Sequence, residues 1–190
     1  MSEKSSVLID LILNEPWRRN VLEAVAALHL NDCWIGAGFL RTPLWDLLHN
    51  YQTPTPIADI DVIYFNSTNV ETDTELELER RLAQSGPDLP WPETYWSVRN
   101  QARMHLLNGD PPYSDTSDAI AHWPETPTAV AIRLNEAGTP ELLAPFGLDD
   151  LFALTVRPTP HAKAHKMPVF RERVSRKNWQ TKWPKLTVVL

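Results

Sequence analysis

Two aspartates, Asp59 and Asp61, stand two residues apart in the run Asp59-Ile60-Asp61-Val62-Ile63-Tyr64-Phe65. On a strand, alternation puts Asp59, Asp61, Ile63 and Phe65 on one face and Ile60, Val62 and Tyr64 on the other. The carboxylates then rise from Cα atoms about 6.6 Å apart, close enough to lean toward one divalent cation or to share two. Acids in an otherwise apolar strand are costly to bury without a partner. The shift from charged to apolar along one face suits a strand that runs from the mouth of a site into a core. The bland alternative is a half-exposed strand whose wet side carries two acids. Upstream lies Gly36-Ala37-Gly38, between a short apolar run and a helical pattern. Glycine lets the backbone turn tightly and lets phosphate come close, and the helix start adds amide donors. A metal site beside a phosphate cradle is the equipment of phosphoryl chemistry. The turn lacks the third glycine of a dinucleotide fingerprint and the Gly-Lys-Ser/Thr of a Walker A loop, so alone it is equally an ordinary strand-to-helix turn.

The elements around these residues follow from periodicity and punctuation. A short helix is expected over 7–13 and a second from Pro16, with Trp17, Val21, Leu22, Val25 and Leu28 at helical spacing. A strand over 33–35, the glycine turn, a helix over 39–49 with Pro43 near its start, and a proline-containing loop over 49–58 lead to the acidic strand. Beyond it come a Glu-rich helix over 72–85, closed by Gly86-Pro87, and a strand over 95–102 followed by a helical turn at 104–107. A short helix over 115–121 precedes strands over 129–134 and 141–144, which flank the hairpin signal Asn135-Glu136-Ala137-Gly138-Thr139-Pro140. A helix over 147–154, a loop over 157–168 and a final helix over 169–182 close the chain. Helices and strands alternate, so the expected class is α/β or α+β, a mixed β-sheet flanked by helices. At 190 residues the chain is expected to form one domain, with 157–190 as a basic loop and helix packed on it.

Charge and composition narrow the function. The formal net charge is −6, which argues against broad, charge-driven nucleic-acid binding. The charge is uneven: Arg157, Lys163, Lys166, Arg171, Arg173, Arg176, Lys177, Lys182 and Lys185 face Glu172 alone in the last stretch. Such a segment suits an acidic cleft, substrate phosphates or a solvated helix face. No window resembles a membrane span or a signal peptide, and the lone Cys33 fits a reducing cytoplasm.

The joint pattern of strand, glycine turn, helix, proline loop and Asp-x-Asp strand resembles the polymerase-beta-like nucleotidyltransferase superfamily. Ala37-Gly38-Phe39-Leu40-Arg41 resembles the head motif of CCA-adding enzymes. With Trp45-Asp46, 99–105, Trp123-Pro124-Glu125-Thr126 and 144–152, the chain looks like a family of small, mostly bacterial, stand-alone nucleotidyltransferases over nearly its whole length. The resemblance implies the polymerase-beta-like fold and transfer of a nucleotidyl group from a nucleoside triphosphate to a hydroxyl of a small-molecule or protein acceptor, with nucleic acid not expected. It implies Mg²⁺, or Mn²⁺, on Asp59 and Asp61, phosphates against Gly36, Ala37 and Gly38, and Arg41 offsetting their charge. Asn100 is read with the nucleotide-binding residues, as part of the polar run Asn100, Gln101, Arg103 and His105, for which surface hydrogen bonding is the alternative.

Two departures stand out. The gap from Gly38 to Asp59 is longer than is usual, which makes 49–58 an inserted loop. The superfamily's third carboxylate has no counterpart in Tyr95-Trp96-Ser97-Val98-Arg99-Asn100; Ser97, Asn100 or the preceding Glu93 would have to stand in. The alternative function is therefore a catalytically weak or inactive nucleotide- or metabolite-binding module on the same fold. His161 and His165 read as exposed residues of a loop rather than zinc ligands, and Asp149-Asp150 as a helix cap. Trp17, Trp34 and Trp45 read as core, and Trp179 and Trp183 as anchors of the last helix.

Overall fold

The acidic run is the second strand of a five-stranded sheet. The computed structural model describes residues 2–190. The strands are β1 (Trp34–Gly36), β2 (Asp59–Tyr64), β3 (Tyr95–Asn100), β4 (Ala131–Leu134) and β5 (Pro140–Leu143), in the spatial order β3-β2-β1-β4-β5. Within this sheet only β2 and β3 run parallel, joined by a crossover through a helix; β1 is antiparallel to both β2 and β4, and the β4–β5 hairpin closes the far edge. A second, two-stranded sheet pairs β6 (Thr155–Val156) with β7 (Thr187–Val188) and ties the C-terminus down.

Alternation along β2 sorts its residues as the sequence predicts. Ile60, Val62 and Tyr64 join Ile35, Trp96, Val98 and Ile132 in the main core. That core is covered by α1 (Glu3–Leu13), α2 (Pro16–Ala26), α3 (Gly38–Leu48) and α4 (Thr72–Ser85), which supply Leu8, Leu22, Leu44 and Leu78 among others. Ile63 faces the other way, with Trp34, Ala131 and Ile120, the last from α6 (Thr116–Ala121). One half of that second face is thus roofed over; the half that carries Asp59 and Asp61 is not part of either apolar cluster.

Pro43 lies inside α3, where it cannot donate to the carbonyl of Phe39. The buried Arg18 replaces that bond, with Nη1 donating to the Phe39 carbonyl at 2.6 Å. Burial pushes the Arg18 guanidinium down to about 9, against the pull of Glu15 and Asp46. The outer edge of β3 is closed by acids from α4: Val98 N–H donates to Glu79 Oε1 at 2.9 Å and Asn100 N–H to Glu75 Oε1 at 2.7 Å.

Four stretches depart from the sequence reading. The strand over 95–102 stops at Asn100, whose Oδ1 caps α5 (Gln101–Asn108) by accepting from Ala102 N–H at 3.1 Å. The helix over 147–154 shrinks to α7 (Asp149–Phe152). The expected loop over 157–168 contains α8 (Pro160–His165), capped by Thr159, because Pro160 occupies a first-turn position where no amide donor is needed. The final helix splits into α9 (Met167–Lys177) and α10 (Trp179–Lys182) at Asn178, whose backbone is left-handed. Trp179 and Trp183 still anchor the end, both edge-on to Trp45 with ring centroids 5.9 and 5.2 Å apart. No helix among the described residues is long and apolar enough to cross a membrane.

Candidate active site

Asp59 and Asp61 are half-buried on the open part of the second sheet face, and parallel pairing sets Tyr95 beside Asp59 and Ser97 beside Asp61. Tyr95 is exposed, and its hydroxyl reaches Asp59 Oδ2 at 3.5 Å. Burial pushes the Asp61 carboxyl up to about 6, and the neighbouring Asp59 pushes it the same way; Arg41, Arg173 and Lys177 oppose the shift. Two crowded carboxylates of this kind gain from a cation between them.

The glycine turn is built differently from the expectation. Gly36 is needed for close approach, since a Cβ there would stand 3.0 Å from the Trp123 ring. The residue with positive φ is Ala37 (φ 53°, ψ −117°), held by its N–H to Val130 O at 3.0 Å and by Arg41 N–H to its own carbonyl at 3.0 Å. Gly38 opens α3, and a Cβ there would meet nothing nearer than 3.9 Å, so the space above it is open.

Arg41 is 6% exposed and turns inward. Its Nη1 donates to Thr128 Oγ1 at 2.7 Å, its guanidinium lies 5.2 Å from the Trp45 ring and 4.8 Å from the Trp179 ring, and its Nε has no partner. Burial pushes it down to about 10, although Glu125, Asp61 and Asp59 each favour its charge. Facing it, α9 contributes Arg173 and Lys177 one helical turn apart. Arg173 Nε pairs with Glu125 at 2.8 and 3.1 Å. Desolvation and then Arg173 lower the Lys177 ammonium, with Asp59 opposing. Charge asymmetry along the chain pointed to this segment, but the pairing of Arg173 with Glu125 and the placing of Lys177 depend on tertiary packing that no local pattern announces.

The long connection before β2 is tied rather than loose. Asp46 on α3 accepts from Thr55 N–H and Thr55 Oγ1, both at 2.7 Å, and from Trp183 Nε1 at 2.7 Å. One side chain thereby fixes the approach to the acidic strand and the C-terminal anchor together.

A family model described as nucleotidyltransferase matches residues 23–188. The chain belongs to the nucleotidyltransferase family. A protein whose NMR structure is described as revealing a CCA-adding enzyme head domain is 34% identical, with a TM-score of 0.81, over 96% of this chain and 94% of that one. A CCA-adding enzyme in complex with CTP superposes with a TM-score of 0.59 at 14% identity, over 98% of this chain and 43% of that one. The same enzyme type in complex with ATP gives 0.58 at 15%, over 95% and 41%. This chain thus spans less than half the length of those two enzymes, which share its fold. No curated protein matches it.

In this nucleotidyltransferase the sequence-derived residues divide. Asp59, Asp61, the 36–38 turn and Arg41 come together; Asn100 does not. Asn100 lies three register positions beyond Ser97, fully buried, donating to the carbonyls of Asn66 and Asn69 at 2.8 Å each and accepting from Asn66 N–H at 3.0 Å and Ala102 N–H. Its hydrogen-bonding capacity is spent on the loop after β2 and the start of α5. Among the described residues no group of three or more His, Cys, Asp or Glu is placed to hold a metal ion. Glu93 is exposed in the loop before β3. His165 is exposed, but His161 is not: it packs against His122 at 4.3 Å between centroids and lies 3.1 Å from Asp110. Asp150 accepts from Thr126 Oγ1 at 2.7 Å and pairs with Arg157 at 3.0 Å. Two cavities, of about 430 and 1180 Å³, lie elsewhere, one at Asp32, Trp34 and Ser114 and the other behind α2 and the β4–β5 hairpin; chemistry rather than hollowness marks the site.

Proposed function

We propose that the protein transfers a nucleotidyl group from a nucleoside triphosphate to a hydroxyl of a small-molecule or protein acceptor, at Asp59, Asp61, the 36–38 turn and Arg41. The observation that carries this is the meeting of a crowded carboxylate pair with three cations, the buried Arg41, the part-exposed Arg173 and the exposed Lys177, on one open face of the sheet. Nucleotidyltransferases of this fold generally use divalent metals, and Asp59 and Asp61 fit Mg²⁺, or Mn²⁺, as two oxygen donors on one face with Ser97 beside them. The ion supplies charge neutralisation at the triphosphate and a more acidic acceptor hydroxyl. The rest is the work of the chain. Asp59 and Asp61 fix where the acceptor oxygen meets the α-phosphorus. Arg41, Arg173 and Lys177 take the charge of the outer phosphates, which grows as pyrophosphate leaves. The amides of the turn hold the phosphates against the start of α3. Tyr95, at the rim, flanks the acceptor side.

Ser97 at the position of an absent third acid favours a second reading, a module that binds nucleotide with little turnover. Calorimetry with Mg²⁺ and each nucleoside triphosphate, beside a pyrophosphate-release assay against pooled cell extract, separates the two. Binding with release supports transfer, and binding without release supports the module. No binding at millimolar nucleotide removes both. We also infer a reducing, cytoplasmic setting and a single unit over 1–190, with 157–190 as a basic segment packed on it; burial pushes the lone Cys33 thiol up to about 12.

A further inference from the structure

Glu125 has a side chain with no exposed surface. It sits between α6 and β4, in a segment whose backbone is pinned on both sides. Thr126 N–H donates to Arg157 O at 2.9 Å, Glu125 bridges to Pro158, and the Glu125 carbonyl accepts from Thr128 and Ala129 at 3.1 Å each. The position of the carboxylate is therefore set by the fold and not by its partners. A buried carboxylate without a counter-charge is strongly unfavourable, and here Arg173 supplies one through Nε, at 2.8 and 3.1 Å.

That contact uses only the inner edge of the guanidinium. Among the described residues neither terminal nitrogen of Arg173 donates to the protein. Arg41 shows the converse division: Thr128, three residues after Glu125, takes Nη1, and the Nε stays unpartnered. One short segment, 125–128, thus grips two arginines from separate helices and leaves part of each unspent beside Asp59 and Asp61.

We infer that Glu125 is a positioning residue for the nucleotide's outer phosphates, acting through Arg173 and, with Thr128, through Arg41. The inference rests on the nucleotidyl-transfer reading. An arginine held in place before the ligand arrives loses little rotamer freedom on binding, whereas a free one has to give up much more. Arg173 is about a quarter exposed as a side chain, so without Glu125 it would swing into solvent.

The test measures binding of inorganic tripolyphosphate, ATP and AMP to the full chain in Mg²⁺ by calorimetry, for wild type, Glu125→Gln and Glu125→Ala. Glu125→Gln keeps an oxygen for Arg173 Nε and is expected to stay within about threefold of wild type. Glu125→Ala is expected to weaken tripolyphosphate and ATP about tenfold, equivalent to about 1.4 kcal/mol, with AMP unchanged because it lacks the outer phosphates. If Glu125→Ala does not fold, Glu125→Asp, which keeps the charge but withdraws it by one methylene, takes its place and is expected to weaken tripolyphosphate and ATP about threefold to tenfold with AMP unchanged. A folded Glu125→Ala, or Glu125→Asp in its place, with wild-type affinity for all three probes would overturn the inference alone. A wild type that binds neither ATP nor tripolyphosphate overturns it together with the reading beneath it.

Discussion

The two ends of the β2–β3 pair carry similar polar residues and use them in opposite ways. At the Tyr64–Asn100 end the charged and amide groups are matched, and only the buried Tyr64 hydroxyl is left without a partner: Asn100 makes four side-chain hydrogen bonds, and Glu75 takes Arg103 through Nε at 2.8 Å and Nη2 at 2.5 Å while also capping the strand edge. At the Asp59–Ser97 end the matching stops. Asp59 accepts one long bond from Tyr95, Asp61 accepts no hydrogen bond among the described residues, and the nearby cations keep free donors. Polarity that is fully spent inside the protein is architecture. Polarity held in place and left unspent is where a ligand is expected.

Breaking this contrast starts with the acids. Asp59→Ala/Asp61→Ala should lower pyrophosphate release by about 10³-fold or more without loss of the folded state in a thermal melt; residual turnover near wild type would move the chemistry elsewhere. The matching experiment at the other end is Asn100→Ala. It should cost about 2–4 kcal/mol in denaturant titration, yet the folded fraction should bind ATP within twofold of wild type. A large loss of affinity would put Asn100 back in the site. The Asp61 carboxyl gives a pH test in metal-free protein. Its folded value of about 6 lies above the ordinary 3.8, so folding binds a proton between the two; its contribution is full below pH 3.8 and is lost as pH rises through 6. Asp61→Asn should abolish that slope and add about 1–3 kcal/mol above pH 6, and an unchanged slope would mean Asp61 is better solvated than its surroundings suggest. The smallest effect is expected at the turn. Ala37→Gly relieves a positive φ that costs about 1–3 kcal/mol but adds freedom to the unfolded chain, for a net gain of about 1 kcal/mol; a loss would show that the turn is not strained.

Much of this arrangement is legible in the chain. Period-two alternation placed Asp59 and Asp61 opposite Ile60 and Val62, and the Asn-Glu-Ala-Gly-Thr-Pro signal marked the β4–β5 hairpin. The Glu-rich pattern over 72–85 is α4 to the residue. Prolines misled where they begin helices instead of breaking chain: Pro160 and Pro168 each fall in a first turn. Asn100 misled because a buried N-cap and a ligand-binding amide have the same composition, and only the identity of its partners tells them apart. Glu125 and Arg173 were out of reach for another reason. They are 48 residues apart and meet because α9 folds back across the site, a consequence of packing that periodicity does not encode.

The carboxylates of Glu75 and Glu79 along β3 have a meaning for the company this molecule keeps. A bare strand edge invites a neighbour to extend the sheet. Here one margin is sealed by side chains that mimic the missing strand's carbonyls, and the other is a four-residue strand that begins with Pro140. Neither border is a long bare template for a foreign backbone, so under the proposed transfer the acceptor would be recognised by shape and charge across the open face.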